Sequence, residues 1–255
     1  MFDPGKESFH ILHRRRCHGE HFEILGCVFD PQLRMLAAAR HVATEAGWRL
    51  KTLLKSRKFF TTPELVRLYK AQILSYLESS TPALYHAAAS VLAWVDRVQW
   101  RFQREVGFSE IECLRNFRLA PLKSRRDMAM LGVLHKINLG IAPAQLQALF
   151  PKFGDIEELP MRQRLRHWRP LHSKQVSTHA NFSSSNVLKR SLFGLVHCYN
   201  ILPQHVENAS SVQLFQRKLQ GGLLQHADLG AEDWQSLFST GWRKLQRTVL
   251  DELFA

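Results

Sequence analysis

Residues 30–58 read DPQLRMLAAARHVATEAGWRLKTLLKSRK, the strongest helical pattern in the chain. Asp30 followed by Pro31 is typical of a helix start, with an N-cap acid and a proline in the first turn. Apolar residues then recur at helical spacing on one face. They are Leu36, Ala39, Ala43, Ala46, Leu50, Leu53 and Leu54. The stretch therefore predicts a long helix over residues 31–58.

The opposite face of this predicted helix is basic and carries an indole. Its members are Arg34, His41, Trp48, Lys51, Lys55 and Lys58. A ridge of cations can follow the phosphates of a nucleic acid while an indole stacks on a base or sugar. A solvated outer face explains the same residues equally well. Two other indoles, Trp94 and Trp100, are expected to fill the core or subunit contacts.

Upstream of the helix, strand-forming residues predict a β-hairpin over residues 8–29. Ser8–His13 forms one strand, Phe22–Phe29 the other, and the polar segment Arg14–His21 connects them. An isolated hairpin is not stable in water. It therefore needs further strands or helices to pack against.

Downstream, start and stop signals predict further helices. They span residues 63–79, 90–106, 121–139, 143–150, 211–225 and 232–253, whereas residues 187–202 fit either a strand or a helix. The fold class expected is mainly α, a helical bundle with an N-terminal β-hairpin. Four segments follow: the hairpin (1–30), a helical domain (31–150), a basic linker (151–185) and an α-rich extension (186–255).

The composition is that of a basic globular protein. The 255 residues include 35 Lys and Arg against 22 Asp and Glu, a net charge of +13, and 45% are hydrophobic, which excludes disorder over the whole chain. The longest uncharged run, Ser79–Val95, is too short and too polar to span a bilayer, so no membrane partner is expected. The excess of cations indicates an anionic partner, most often nucleic acid.

Candidate metal ligands lie in the predicted hairpin, where four side chains could supply the four ligands that zinc needs. They are His13, Cys17, His21 and Cys27. Their spacing matches no common zinc signature, so we interpret them as a polar loop with a buried Cys27 and expect neither a metal nor another cofactor. With Cys113 and Cys198, the four scattered cysteines are too few for a disulfide scaffold. They indicate a reducing compartment, the nucleus or the cytoplasm.

No set of catalytic residues stands out. The sequence lacks a glycine-rich phosphate loop, a Gly-x-Ser-x-Gly elbow and a His-Glu-x-x-His motif. Only eight aspartates are present and no two are adjacent. Because two-metal phosphoryl transfer needs clustered carboxylates, we expect no catalytic residue in this chain.

The order of several short motifs resembles the C-terminal region of the reverse transcriptases of non-LTR (LINE-type) retrotransposons. Asp3–Ser8 is similar to their Asn-Pro-x-Lys-Thr/Ser segment near the end of the palm, and Phe22–Asp30 to the strand that follows it. Further similar motifs are Leu68–Lys70, Pro121–Leu122, Arg125–Arg126, Leu134–Ile137, Gly140–Pro143, Leu149–Pro151, Arg190–Phe193, Tyr199–Pro203 and Phe215–Leu219. Asp3 and Tyr199 depart from the family's usual Asn and Trp.

The resemblance implies the last palm strands, the thumb and a tail of an RNA-directed DNA polymerase. The family's fingers and its Tyr/Phe-x-Asp-Asp turn have no counterpart here. An upstream palm and fingers polypeptide is therefore the implied partner, and this chain is not expected to be an enzyme alone.

The resemblance also implies that the chain grips a template–primer duplex of RNA and DNA. Phosphate would be contacted by Arg34, Lys51, Lys55 and Lys58. Trp48 would contact a sugar or base, and Gly26 would permit close backbone approach in the primer-grip strand. Two other hypotheses stay open: a basic helical RNA- or protein-interaction protein without a polymerase role, and an inactive retroelement remnant.

Overall fold

The computed structural model of the chain describes residues 8–11, 14–17, 22–24, 26–150, 186–239, 250 and 252–254. The chain divides into two units, residues 1–98 and residues 99–255. The predicted fold class is confirmed, since the structure is mainly helical with N-terminal antiparallel hairpin strands. The predicted basic linker over residues 151–185 lies outside the described residues.

The N-terminal strands form two short hairpins. Strand β1 (Ser8–Ile11) pairs with β2 (Arg14–Cys17), and β3 (Phe22–Ile24) pairs with β4 (Cys27–Phe29). The predicted pairing of residues 8–13 with residues 22–29 is therefore wrong. The second stretch folds back on itself because Gly26, with φ of 77°, supplies a left-handed residue between β3 and β4.

Helix α1 (Leu36–Lys55) begins at Leu36 and not at the predicted Pro31. The Asp30 carboxylate accepts hydrogen bonds from three backbone N–H groups, those of Gln32 (3.1 Å), Arg34 (3.0 Å) and Met35 (2.6 Å). Burial alone would raise the pKa of Asp30, but these donors outweigh it and hold the pKa below its ordinary value. The bonds stabilise a loop in which Leu33 and Met35 have positive φ, so no helical turn forms there.

The buried side of α1 packs against β4 and against the helices that follow it. Its buried residues are Ala38, Ala39, Val42, Ala46, Leu50 and Leu53. Leu36, a predicted member of this stripe, is 39% exposed, and Ala43 and Leu54 are half-buried. The observed stripe is thus rotated slightly towards Val42 relative to the predicted one.

The rest of the first unit is a broken helical run. After a 3-10 turn (Arg57–Phe59) come α2 (Thr62–Tyr69), a π-helix (Lys70–Leu74), α3 (Ser75–Ser79) and α4 (Thr81–Leu84). Thr61 and Glu64 form the capping box of α2, in which the carboxylate accepts from the Thr61 N–H at 2.8 Å. Helix α5 (Ala89–Val106) begins one residue before its predicted start.

The second unit is organised around α7. The helices described in it after α5 are α6 (Glu110–Phe117), α7 (Leu122–Asn138), α8 (Ala144–Ala148), α9 (Asn186–Lys189), α10 (Leu192–Asn200), α11 (Gln204–Glu207) and α12 (Val212–Asp228). Helix α7 is buried on most of its circumference and packs against α10 and α12. None of the described helices is both long and apolar enough to cross a bilayer.

Three sequence-based expectations change in this unit. Helix α6 was not predicted, although Ser109 and Glu112 form a capping box at its start. The ambiguous residues 187–202 are largely helical. The last predicted helix does not begin at Glu232, because Trp234–Ser236 is a separate 3-10 turn, and residues 240–249 lie outside the described part.

Candidate nucleic-acid interface

The structure places three of the predicted contact residues together on the outer face of α1. Trp48, Lys51 and Lys55 are exposed on the side opposite the buried stripe, and Trp48 is 59% exposed. The Lys51 Nζ lies 5.0 Å from the centre of the Trp48 ring, within the range of a cation–π contact. We call these three residues the α1 strip.

The α1 strip has no carboxylate on its own face. The one acid of α1 is Glu45, which is half-buried on its flank. Residues 46–63 contain five Lys and Arg and no acid. Among the described residues, no ion pair involves Lys51 or Lys55. Their charges are therefore available to an anionic partner.

Lys58 lies beyond the end of α1, in the 3-10 turn, so the single helix predicted to residue 58 is wrong at this end. Ser56 ends α1, since its N–H and its Oγ both donate to the Leu53 carbonyl oxygen. The Lys58 Nζ lies 5.0 Å from the centre of the Phe59 ring, which is 73% exposed. Phe59 is not among the predicted contact residues, although the sequence places this aromatic residue next to Lys58 in a stretch without acids.

The other two predicted contact residues lie outside α1. Arg34 is exposed in the loop before the helix. Gly26 is exposed in the β3–β4 turn, and no heavy atom lies within 4 Å of the place a Cβ would take. The left-handed backbone alone explains the glycine, and the open space above it leaves room for another backbone to approach.

Replacing Gly26 by alanine is expected to destabilise the β3–β4 turn by about 1–2 kcal/mol, because an L-residue with a Cβ is strained at positive φ. Asparagine tolerates this conformation better, so Gly26→Asn is the control and should cost less. Hydrogen exchange of the β4 amides measures the difference. Equal protection in both variants and in the wild type would contradict this account of the turn.

A cavity of about 790 Å³ lies between the β3–β4 hairpin, the N-terminal half of α1 and residues 76–86. Its size suits a small-molecule site. The described residues that line it are mostly apolar, with His41, Tyr76 and His86 among the polar ones and no Asp, Glu, Lys or Arg. It therefore offers no permanent charge to a phosphate.

Arg49 follows Trp48 in sequence but does not join the strip. Its guanidinium lies 3.9 Å over the Tyr76 ring, and its Nη1 donates to the Gln72 carbonyl oxygen of the π-helix at 3.3 Å. Arg49 thus links α1 to the π-helix, a segment whose register frees carbonyl groups from the usual ladder.

The remaining indoles divide between packing and exposure. Trp94 is half-buried beneath the Arg40 guanidinium, 4.6 Å from its ring. Trp100 is 53% exposed and lies under Arg104 at 4.8 Å, so it does not fill the core, and its expected alternative, a subunit contact, stays a prediction. Helix α5 instead buries Phe102 and Gln103 at this level, which leaves Trp100 on the outer side.

His135 is buried in the second unit, and both of its ring nitrogens form hydrogen bonds within the protein. The ring Nε2 lies 2.9 Å from the Ala209 carbonyl oxygen, and Nδ1 lies 3.0 Å from the Tyr199 hydroxyl. A carbonyl only accepts, so Nε2 carries the proton and Nδ1 accepts from the hydroxyl. Phe215 stacks on the imidazole at 4.2 Å. His135 therefore has a structural part and no free nitrogen for catalysis.

Stability should fall as the pH drops below about 6.5, the ordinary pKa of histidine. Burial lowers the pKa of His135 and of His226 in the folded chain, so the unfolded chain binds protons first. Each buried histidine contributes at most about 1.4 kcal/mol per pH unit in this window. Urea unfolding at pH 7.5 and 5.5 measures the loss. His135→Phe should be less stable at pH 7.5 but less sensitive to acid, and an unchanged pH dependence would contradict the assignment.

The described thiols have the environment of structural cysteines. Burial raises the pKa of Cys113 to about 11 and also raises the pKa of Cys198 and Cys27. A thiol with a raised pKa is a poor nucleophile at neutral pH. Within the described residues no group of three or more His, Cys, Asp or Glu is placed to hold a metal. Of the zinc ligands weighed from the sequence, His13 and His21 lie outside that part.

The chain was compared with protein families, curated proteins and solved structures. No protein-family model, no curated protein and no solved structure matches the chain.

Proposed function

We propose that this chain grips template–primer nucleic acid as the terminal palm, thumb and tail region of a reverse transcriptase of the non-LTR retrotransposon type. The observation that carries the proposal is the α1 strip, an exposed indole beside two exposed lysines with no acid on the same face. The net charge of +13 and the ordered motifs give it further support. The polymerase carboxylates would belong to an upstream palm and fingers polypeptide.

The spacing of the two lysines in the strip suits a phosphate backbone. Lys51 and Lys55 are four residues apart, about 6 Å along the helix axis. This is close to the length of two nucleotides at about 3.4 Å each along one strand. Each phosphate that a lysine neutralises releases counterions, so binding through the strip would weaken as salt rises.

Binding of the whole chain to matched oligonucleotides tests the proposal. An RNA–DNA heteroduplex, a DNA duplex and a single strand of equal length are titrated at several salt concentrations. We expect the heteroduplex to bind most tightly, with a linear decrease of log K against log salt. Absence of binding to the heteroduplex at low salt would overturn the proposal.

A primer-extension assay tests separately whether the catalytic carboxylates belong to an upstream polypeptide. The purified chain is expected to give no primer extension with Mg²⁺ and deoxynucleotides, because the catalytic carboxylates would come from the upstream polypeptide. An extended primer would contradict this part of the proposal while leaving nucleic-acid binding in place.

The second candidate is a basic helical interaction protein without a polymerase role. Trp100 and Arg104 favour it, since an exposed indole stacked with a guanidinium has the composition of interface hot spots. Equal and strongly salt-dependent binding to all three oligonucleotides would favour this candidate over the first.

A further inference from the structure

Two aromatic rings, one in the C-terminal half of α1 and one just beyond its end, are largely exposed. Trp48 is 59% exposed and Phe59 is 73% exposed. Each ring has a lysine amine 5.0 Å from its centre, that of Lys51 and that of Lys58. The two rings thus repeat one arrangement, a π-face next to a cation on a short, acid-free stretch of chain.

Such a pair matches a nucleotide whose base is unpaired. The flat face of a base is covered by its neighbours inside a duplex, so a side chain at the duplex surface reaches only phosphates, sugars and base edges. An unpaired nucleotide exposes its base face for stacking while its phosphate stays within reach of a lysine. Stacking on an aromatic side chain contributes about 1–3 kcal/mol per base and does not depend on sequence.

We infer that Trp48 and Phe59 stack on unpaired nucleotides of the template strand where it leaves the template–primer duplex. This inference rests on the proposed function, and it names the part of the nucleic acid that the site takes. Lys51 and Lys58 bind the phosphates of the same nucleotides, and Lys55 binds the adjacent backbone. A protein partner is the less suitable occupant, because the five Lys and Arg of residues 46–63 have no acid among them to balance their mutual repulsion.

The test compares two substrates that differ only in unpaired nucleotides. One is a blunt heteroduplex, and the other is the same heteroduplex with a template overhang of about six nucleotides, within the usual site size of a single-strand groove. The wild-type chain is expected to bind the overhang substrate more tightly. Equal affinity for the two would overturn the inference.

Ring deletions separate stacking from charge. Trp48→Ala and Phe59→Ala should each lower affinity for the overhang substrate about fivefold or more and change affinity for the blunt duplex less than about twofold. Trp48→Phe keeps a π-face and should retain most of the preference. Because both rings are largely exposed, their removal opens no cavity in the core.

Lysine substitutions distinguish failure of this inference from failure of the proposed function. Lys51→Gln with Lys55→Gln should lower the salt slope by about two on the overhang substrate and by about one on the blunt duplex, which offers a phosphate to Lys55 alone. If these variants weaken binding but the alanine variants lower both affinities equally, the strip binds duplex alone and the stacking inference is wrong. If the wild type binds neither substrate, the proposed function fails first.

Discussion

Replacing Phe215 by alanine is expected to lower the free energy of unfolding of the second unit by about 3–5 kcal/mol, the usual cost of deleting a buried phenyl ring. Phe215 is completely buried in α12. The centre of its ring lies 4.2 Å from that of His135, on which it stacks, and 5.8 Å from that of the tilted Tyr199 ring. Its loss leaves a cavity between α7, α10 and α12 and removes the apolar cover of the bond between Tyr199 and His135.

Urea unfolding followed by circular dichroism measures this loss. At an m-value of about 2–3 kcal/mol/M, the midpoint of the transition that reports the second unit should fall by about 1–2 M. Leu214, the preceding residue of α12, is 36% exposed and provides the control. Leu214→Ala should change stability much less, by roughly 0.5 kcal/mol. If the two variants unfold at the same urea concentration, the central position assigned to Phe215 is wrong.

Most of the helical fold could be predicted because local signals and burial agree there. The structure begins α5 and α7 each within one residue of the predicted start. The hairpin pairing could not be predicted from alternation alone, since residues 22–29 fit one strand or two equally well. The deciding feature is the positive φ of Gly26, which is a property of the folded turn. The predicted segment boundaries remain a prediction.

The three residues of the α1 strip could be predicted from the sequence, but the positions of Arg34 and Phe59 beside it could not. Helical spacing placed Trp48, Lys51 and Lys55 on one face, and the structure exposes all three. The Asp30-Pro31 pair predicts an N-cap and so places Arg34 in the same helix, whereas the Asp30 carboxylate accepts hydrogen bonds within a loop before the helix. The exposure of Phe59 depends on where α1 ends, which is set by hydrogen bonds from Ser56 that periodicity does not reveal.

The contact between Arg49 and the π-helix is a second feature that the sequence does not predict. Arg49 lies between Trp48 and Lys51 in the sequence, and its charge alone would predict that it belongs to the α1 strip. Its guanidinium is instead held by the Tyr76 ring and the Gln72 carbonyl oxygen. The extra residue of a π-turn has no strong sequence signal, so the carbonyl that holds Arg49 could not be predicted.

Reversing the charge of Lys51, Lys55 and Lys58 together is expected to give the largest change in binding. If each lysine neutralises one phosphate, the slope of log K against log salt should fall by about three, at about 0.9 for each contact. Affinity for the heteroduplex should fall most at low salt, where counterion release contributes most, and the wild-type and variant curves should converge as salt rises. Fluorescence anisotropy of a labelled heteroduplex with a template overhang of about six nucleotides measures both quantities at four or more salt concentrations.

The control is a second triple reversal with the same change in net charge, Lys136→Glu, Lys189→Glu and Arg217→Glu. These three side chains are exposed in the second unit. They share the long-range field of the chain but not the α1 strip, so this variant should lose some affinity while the salt slope stays near that of the wild type. Circular dichroism checks both variants for folding, because a carboxylate in place of Lys55 would oppose the dipole at the last turn of α1. An equal fall of the slope in both variants would mean that binding follows net charge, and that the α1 face is an ordinary solvated surface.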